Sequence, residues 1–332
     1  MTEHREGRIM RRILSFTLVL LLALTVLTGC GLLSGSGIVC NVNFYVDGQI
    51  YMKKQVEMGS AVPMPNAPEK AGELFLGWYT DGFFTAEYDF SRPVLYDIDL
   101  YAFYTIDAVA LTNKVTNEAV KSLVTIKTKC FNTGPFGVET TSFSAQGSGV
   151  IIDISGGWAY ALTNCHVIAQ EDGYKYREIT VDDAYGNTFP ADIYKNKQLT
   201  FEAVSEDYDL ALVCFKYTEG MLAEIGIGND PMPGDNVVSL GAPDGQRNSI
   251  TYGQVQGYNK INAEDGDDIS KVAFEIIIHN APIDHGSSGG PLLDTECKLI
   301  GLNFAGYNNG QYGCAIPMSK INEFLSKFVY NN

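Results

Sequence analysis

The sequence has no basic patch. Its 23 lysines and arginines stand against 39 aspartates and glutamates, a net charge of −16. That surplus excludes nucleic acid and anionic lipid headgroups as partners drawn in by charge. Zinc is excluded by pattern, because the seven cysteines match no zinc-ligand spacing and no compact disulfide framework. Histidine is scarce, with four in 332 residues. Long hydrophobic runs are nearly absent too. The uncharged stretch from Ile13 to Leu27 is short for a bilayer-spanning helix, which needs about 20 residues. What remains, 45% hydrophobic and 19% charged, is the composition of a folded globular chain and not of a disordered one.

The apolar stretch follows Arg5, Arg8, Arg11 and Arg12 and ends in small residues, the layout of a secretory signal. Met10, directly before Arg11, is an alternative start to Met1. Leu27-Thr28-Gly29-Cys30 resembles the lipobox of bacterial lipoproteins. That resemblance implies cleavage of residues 1–29, lipid on Cys30 and an exported, cell-surface protein anchored in the membrane by that lipid. An uncleaved membrane anchor changes this topology little. Cleavage leaves 19 basic and 37 acidic residues, a net charge of −18. Residues 30–37 then form a flexible tether. Cys130, Cys165, Cys214 and Cys314 lie in or beside apolar stretches, which suits buried thiols.

Residues 38–106 alternate in strand fashion, with a hairpin signal at Asp47-Gly48. Phe75-x-Gly77-Trp78-Tyr79, Tyr88-Asp89-Phe90 and Leu100-Tyr101-Ala102 resemble the Listeria–Bacteroides (internalin-type B) repeat of bacterial surface proteins. The family usually closes on tryptophan where Tyr104 stands. The resemblance implies a small β-grasp-like module that acts as a spacer or contacts the cell wall or surface. Trp78 reads as core in preference to a ligand-stacking ring.

Residues 107–332 open with a short helix, continue as short strands between Gly and Asn turns, and close with a helix at Ser319–Val329. That rhythm predicts an all-β sandwich or pair of barrels. Hydroxyl attack on a carbonyl needs a base, an orienter for the base and donors for the oxyanion. His166 ends an apolar strand, Asp209 precedes another, and Ser288 lies in Asp284-His285-Gly286-Ser287-Ser288-Gly289-Gly290. His285 is too close to Ser288 on one tight loop to serve as its base.

The order His166, Asp209, Ser288 is that of chymotrypsin-type folds. Gly147-Ser148-Gly149, Leu162-Thr163-Asn164-Cys165-His166, Asp209-Leu210-Ala211-Leu212, Gly286-Ser287-Ser288-Gly289-Gly290-Pro291 and Ala315-Ile316-Pro317 together resemble HtrA/Deg-type serine proteases over about residues 115–330. The resemblance implies a chymotrypsin-like double β-barrel and a serine endopeptidase with no cofactor or metal, acting on proteins or peptides. Ser288 is then the nucleophile, His166 the base and Asp209 the orienter, with the amides of Gly286 and Ser288 as the oxyanion hole. Ile283 falls in the primary specificity pocket and Asn303, Phe304 and Ala305 on the substrate strand. Small or medium apolar side chains are expected before the cut. The family usually has Asn or Asp where Ser287 stands, and here no PDZ segment follows the terminal helix. Two rivals are a silent surface-binding lipoprotein of the same fold and a non-peptide esterase. The acidic loop Ala263–Asp268 reads as a solvated turn, since it lacks EF-hand spacing.

Overall fold

A computed structural model describes residues 37–195, 202–242, 248–260, 272–307 and 311–328. The signal stretch, Cys30 and the acidic loop at 263–268 lie outside the described residues. The chain divides into two compact units. One runs to Pro68 and resumes over Leu76–Phe103, while the other takes Glu69–Phe75 and everything from Tyr104.

The N-terminal sheet has the strand order β2-β1-β4-β3, from β1 (Val39–Val46), β2 (Gln49–Glu57), β3 (Glu73–Tyr79) and β4 (Ile98–Ile106). β1 and β2 pair antiparallel and β1 and β4 parallel, the β-grasp arrangement. The hairpin turns at Asp47 (φ 49°) and Gly48 (φ 72°), the double left-handed step that matches strand twist. Alternation sends Cys40, Val42 and Phe44 inward. Trp78 is fully buried, edge-on to Phe44 at 4.8 Å, so it is core.

Helix α1 (Ala108–Asn117) is capped by the Asp107 side chain, which accepts from the Ala110 amide at 2.9 Å. Its i, i+4 pair Leu111 and Val115 is fully buried. Six strands then close into a barrel: β5 (Leu123–Thr133), β6 (Glu139–Ser155), β7 (Trp158–Thr163), β8 (Tyr176–Asp183), β9 (Thr188–Ile193) and β11 (Leu210–Lys216). The pairing β11–β9 closes it, and the two-residue β10 (Val204–Ser205) adds to β11. A second six-stranded ring follows. It uses β13 (Asn236–Gly241), β14 (Ser249–Asn259), β15 (Ile276–His279), β16 (Pro291–Leu293), β17 (Lys298–Tyr307) and β18 (Tyr312–Pro317). The pairing β17–β18 closes it, and β12 (Gly226–Ile227) adds parallel to β17. Helix α2 (Met318–Phe328) ends the described chain, burying Ile321, Phe324 and Leu325.

Strand periodicity explains why two barrels share one core. Along β11, Ala211, Val213 and Phe215 fill the first barrel, while Leu210 and Leu212 face the other way. Along β13, Val237 packs into the second barrel, while Val238 and Leu240 face back. The residues facing between the barrels join Leu111, Leu162, Leu302 and Phe324 in one cluster. Each fully buried Leu or Ile there contributes roughly 1.5–3 kcal/mol over exposure.

Candidate active site

The site lies where strand ends of the two barrels meet. Strand β7 stops at Thr163, and Asn164 and Cys165 turn the chain so that His166 opens a single 3-10 turn. Two buried bonds set that turn: Thr163 Oγ1 donates to the Ser148 carbonyl at 2.7 Å, and Asn164 Nδ2 to the Asp209 carbonyl at 3.0 Å. Asp209 stands just before β11 in the left-handed region, at φ 49°. Its amide donates to the Glu206 carbonyl at 3.1 Å.

From there the Asp209 carboxylate meets His166 twice. Oδ1 accepts from the His166 backbone amide at 3.0 Å, and Oδ2 lies 2.8 Å from Nδ1. An ionised carboxylate only accepts, so this contact favours the tautomer with its proton on Nδ1 and its lone pair on Nε2. The Asp209 side chain is 3% exposed and that of His166 40%, a buried carboxylate behind an accessible imidazole. Cys165, next to His166, is an inert thiol. Burial first, then Asp209 and Glu206, push it up to about 11. Six cysteines among the described residues are free: Cys40, Cys130, Cys165, Cys214, Cys297 and Cys314. All are buried except Cys214, which is half-buried.

The serine loop is fixed from several sides. Ser287 donates its amide to the Asp284 carbonyl at 2.9 Å, and the Ser287 Oγ accepts from the Asp284 amide at 3.2 Å. Ser287 is buried at 4% exposure and closes the turn, leaving Ser288 as the accessible hydroxyl. The Gly289 amide donates to the Asn303 carbonyl at 2.8 Å, and the Asn303 amide to the Gly290 carbonyl at 2.9 Å. Gly289 has φ 83°, and a Cβ there would collide with the Ser148 carbonyl and Thr163 Oγ1. Only glycine fits.

Ser148, fully buried on β6, ties this loop to the first barrel. Its amide donates to the Ser288 carbonyl at 2.7 Å, and its Oγ donates to the Gly286 carbonyl at 2.7 Å while accepting from the Ala242 amide at 3.0 Å. A Cβ on neighbouring Gly147 would meet both the Ser288 carbonyl and Val167, the residue after His166. Ser288 and the histidine turn therefore lie against the same short piece of β6. The amides of Ser287, Gly289 and Gly290 are all bonded within the fold. Those of Gly286 and Ser288 donate to no acceptor among the described residues. Ser288 Oγ donates to the Phe304 carbonyl at 3.2 Å.

The four residues assigned to substrate binding fall in different surroundings. Ile283 is half-buried, beyond Pro282 whose carbonyl accepts from Thr251 Oγ1 at 2.7 Å. Phe304 is buried at a bulge of β17, and Ala305 is half-buried beyond it. Asn303 is fully buried with its side chain directed into the second barrel. Its Nδ2 donates to Ser239 Oγ at 3.0 Å, and its Oδ1 lies 3.0 Å from His279 Nε2. Burial pushes His279 down to about 4, against the opposing pull of its bond to Asn303, so the ring is neutral. Sequence reasoning gave Ser148 and Asn164 no role and set Asn303 on the substrate strand without its pairing to His279. Asn164 and Ser148 stand inside the motifs, but their roles depend on partners 45 and 138 residues away. No cluster of three or more metal-binding side chains occurs among the described residues.

Residues 147–302 match the trypsin-like peptidase domain, and residues 41–103 match the Listeria-Bacteroides repeat domain. The chain is 32% identical over 186 residues to serine protease HTRA1 of Xenopus tropicalis, covering 55% of this chain and 36% of that protein. It is 28% identical over 230 residues to a serine protease HtrA-like protein of Staphylococcus aureus, covering 65% of this chain and 28% of that one. It therefore spans about a third of the length of the relatives it matches.

Proposed function

From the premise that this chain carries a trypsin-like peptidase domain, we propose that it is a serine endopeptidase working through Ser288, His166 and Asp209. The observation that carries this reading is the double hydrogen bond from His166 to the buried Asp209 carboxylate. It fixes the imidazole in the tautomer that can take a proton at Nε2. In the reaction Ser288 Oγ attacks the substrate carbonyl and gives its proton to His166. The unpaired amides of Gly286 and Ser288 receive the oxyanion. His166 then protonates the leaving amine, and water releases the acyl group by the same route. A substrate N–H competes for the Phe304 carbonyl and frees the Ser288 hydroxyl that rests on it.

The pocket wall at Ile283 supports cleavage after small or medium apolar residues. Asp284 turns its Oδ1 onto the His285 amide at 2.7 Å, which engages the nearest carboxylate locally. Burying an unpaired ammonium or guanidinium would cost several kcal/mol, on the order of thousandfold in rate. The lipobox at Cys30 supports an exported, lipid-anchored protein with protein or peptide substrates outside the cytoplasm. Among the described residues no helix is long and apolar enough to cross a membrane. The repeat fits a spacer or surface-contacting role.

Proteolysis of an unfolded protein and of a peptide library tests this reading. Ser288→Ala is expected to abolish cleavage with the fold intact, whereas Ser287→Ala retains most activity. The library should show Lys and Arg excluded before the cut, with soft differences among aliphatics. Swapped serine results would overturn the nucleophile, and dominant cleavage after Lys or Arg would overturn the pocket.

A further inference from the structure

The β5–β6 hairpin carries an apolar tip that neither the fold nor the active site uses. Gly134-Pro135-Phe136-Gly137-Val138 makes the turn, closed by bonds from Gly134 to Val138 (2.8 Å) and from Gly137 to Gly134 (3.2 Å). Phe136 stands at the apex with φ 66° and 103% exposure, and Val138 is 65% exposed. A left-handed conformation is costly for a phenylalanine, whose Cβ crowds the following carbonyl. Here that cost accompanies a ring held wholly in solvent.

Below the tip the hairpin is layered. The rungs run Thr133–Glu139, Asn132–Thr141, Phe131–Ser142, Cys130–Phe143 and Lys129–Ser144. Phe131 stacks on Tyr176 of β8 at 5.4 Å, and Phe143 tilts against Tyr174 at 6.5 Å. These four rings form a collar about 7–10 Å below the first rung, at roughly 3.3 Å per residue. Lys129 and Lys175 lie over Phe131 and Tyr176 in the same collar. Polar groups between tip and collar are satisfied within the unit. Asn132 Nδ2 donates to the Gly173 carbonyl at 2.9 Å, Thr140 to the Asn132 carbonyl at 3.3 Å, and Glu139 pairs with Lys129 at 2.5 Å.

We propose that this hairpin is a membrane-contacting finger, with Phe136 and Val138 entering the interfacial zone of a lipid bilayer and the aromatic collar resting at headgroup level. Apolar side chains of interfacial segments reach on the order of 5–10 Å into that zone, and Tyr-rich belts mark its edge. The order of apolar tip, aromatic ring and lysine reproduces that gradient. The surface is a convex point and not a groove, which fits a fluid partner. Lys129, Lys175 and Arg177 are offset by Glu139, Glu171, Asp172 and Glu178 nearby, so the contact rests on apolar partition and takes a zwitterionic surface. A lipid at Cys30 would keep the finger near a bilayer, but the inference does not depend on it.

Tryptophan placed at the tip reads the contact directly. The full chain with Phe136→Trp is mixed with phosphatidylcholine vesicles, with and without bromine-labelled acyl chains. A second variant, Tyr185→Trp, carries the probe on the β8–β9 turn, where Tyr185 is 45% exposed. Trp78 and Trp158 of the unaltered chain give the background. Emission from the Phe136→Trp probe is expected to shift to the blue and to be quenched by bromine, with emission from the Tyr185→Trp probe unchanged. No bromine-dependent loss at position 136, or equal loss at both positions, would overturn the proposal. A blue shift that grows with protein concentration without vesicles would assign the tip to a second copy of this chain instead.

Discussion

Asp209 holds a left-handed φ of 49°, a conformation that costs a non-glycine residue about 1–2 kcal/mol. Its two bonds to His166 offset that cost, so the strain sits where the carboxylate turns toward the imidazole. Ser287 and Ser288 divide the labour of two adjacent hydroxyls, one closing the loop and the other left accessible. His279 gives this scale a pH test. Its folded value is depressed to about 4 from 6.5 by burial. The stability it contributes is therefore present above pH 6.5 and is lost as pH falls toward about 4. The loss is on the order of 3 kcal/mol. Thermal unfolding of the wild-type protein and of His279→Gln across roughly pH 7 to 4 measures it. The variant should start less stable and lose less over that window. Parallel curves would show that the buried imidazole does not set the slope. The sequence displayed His166, Asp209 and Ser288 because each polar residue interrupts or borders an apolar run. It could not display Ser148 or the side-chain role of Asn303, which depend on what folds against them.

At the level of elements, alternation located most strands, including β7, β8, β9, β11, β13, β14 and β18. It missed β12 and β16, two and three residues long, which carry too little pattern to stand out. The apolar run Val272–Asn280 reads as strand throughout, but only Ile276–His279 is paired. Pairing with β14 and β18 decides that span, and local propensity does not. Helix α2 was legible from its apolar spacing, but its connection to the active site was not. Tyr208, directly before Asp209, gives its hydroxyl to Glu323 at 2.6 Å and receives Lys327 at 2.5 Å, while its ring packs on Phe324 at 6.3 Å. Lys320, Tyr208 and Lys327 together hold the Glu323 carboxyl down to about 2. The helix thereby braces the turn that carries Asp209. Tyr208→Phe keeps the ring and removes both polar bonds, so kcat should fall about 2- to 10-fold with KM unchanged. Tyr208→Ala, which also empties the ring's site, should lower kcat further. An Ala variant with unaltered kcat would remove α2 from the account of the site.

Over the whole molecule, strand alternation makes one double-barrel unit from two rings and a shared core. Each barrel keeps its own interior, and the outward residues of β11 and β13 supply the cluster between them. Val167 and Ile168 of the histidine turn pack in the first barrel, while Ser148 of β6 ties down the serine loop that leads into the second, so the site belongs to neither barrel alone. The central claim is that these parts converge on one activated hydroxyl. Covalent labelling with a fluorophosphonate, read by mass spectrometry of the intact chain and its fragments, tests it most directly. The account predicts a single adduct on Ser288, absent in Ser288→Ala and strongly slowed in His166→Ala and Asp209→Asn. An adduct on Ser287, or a wild-type chain that stays unlabelled, would contradict it.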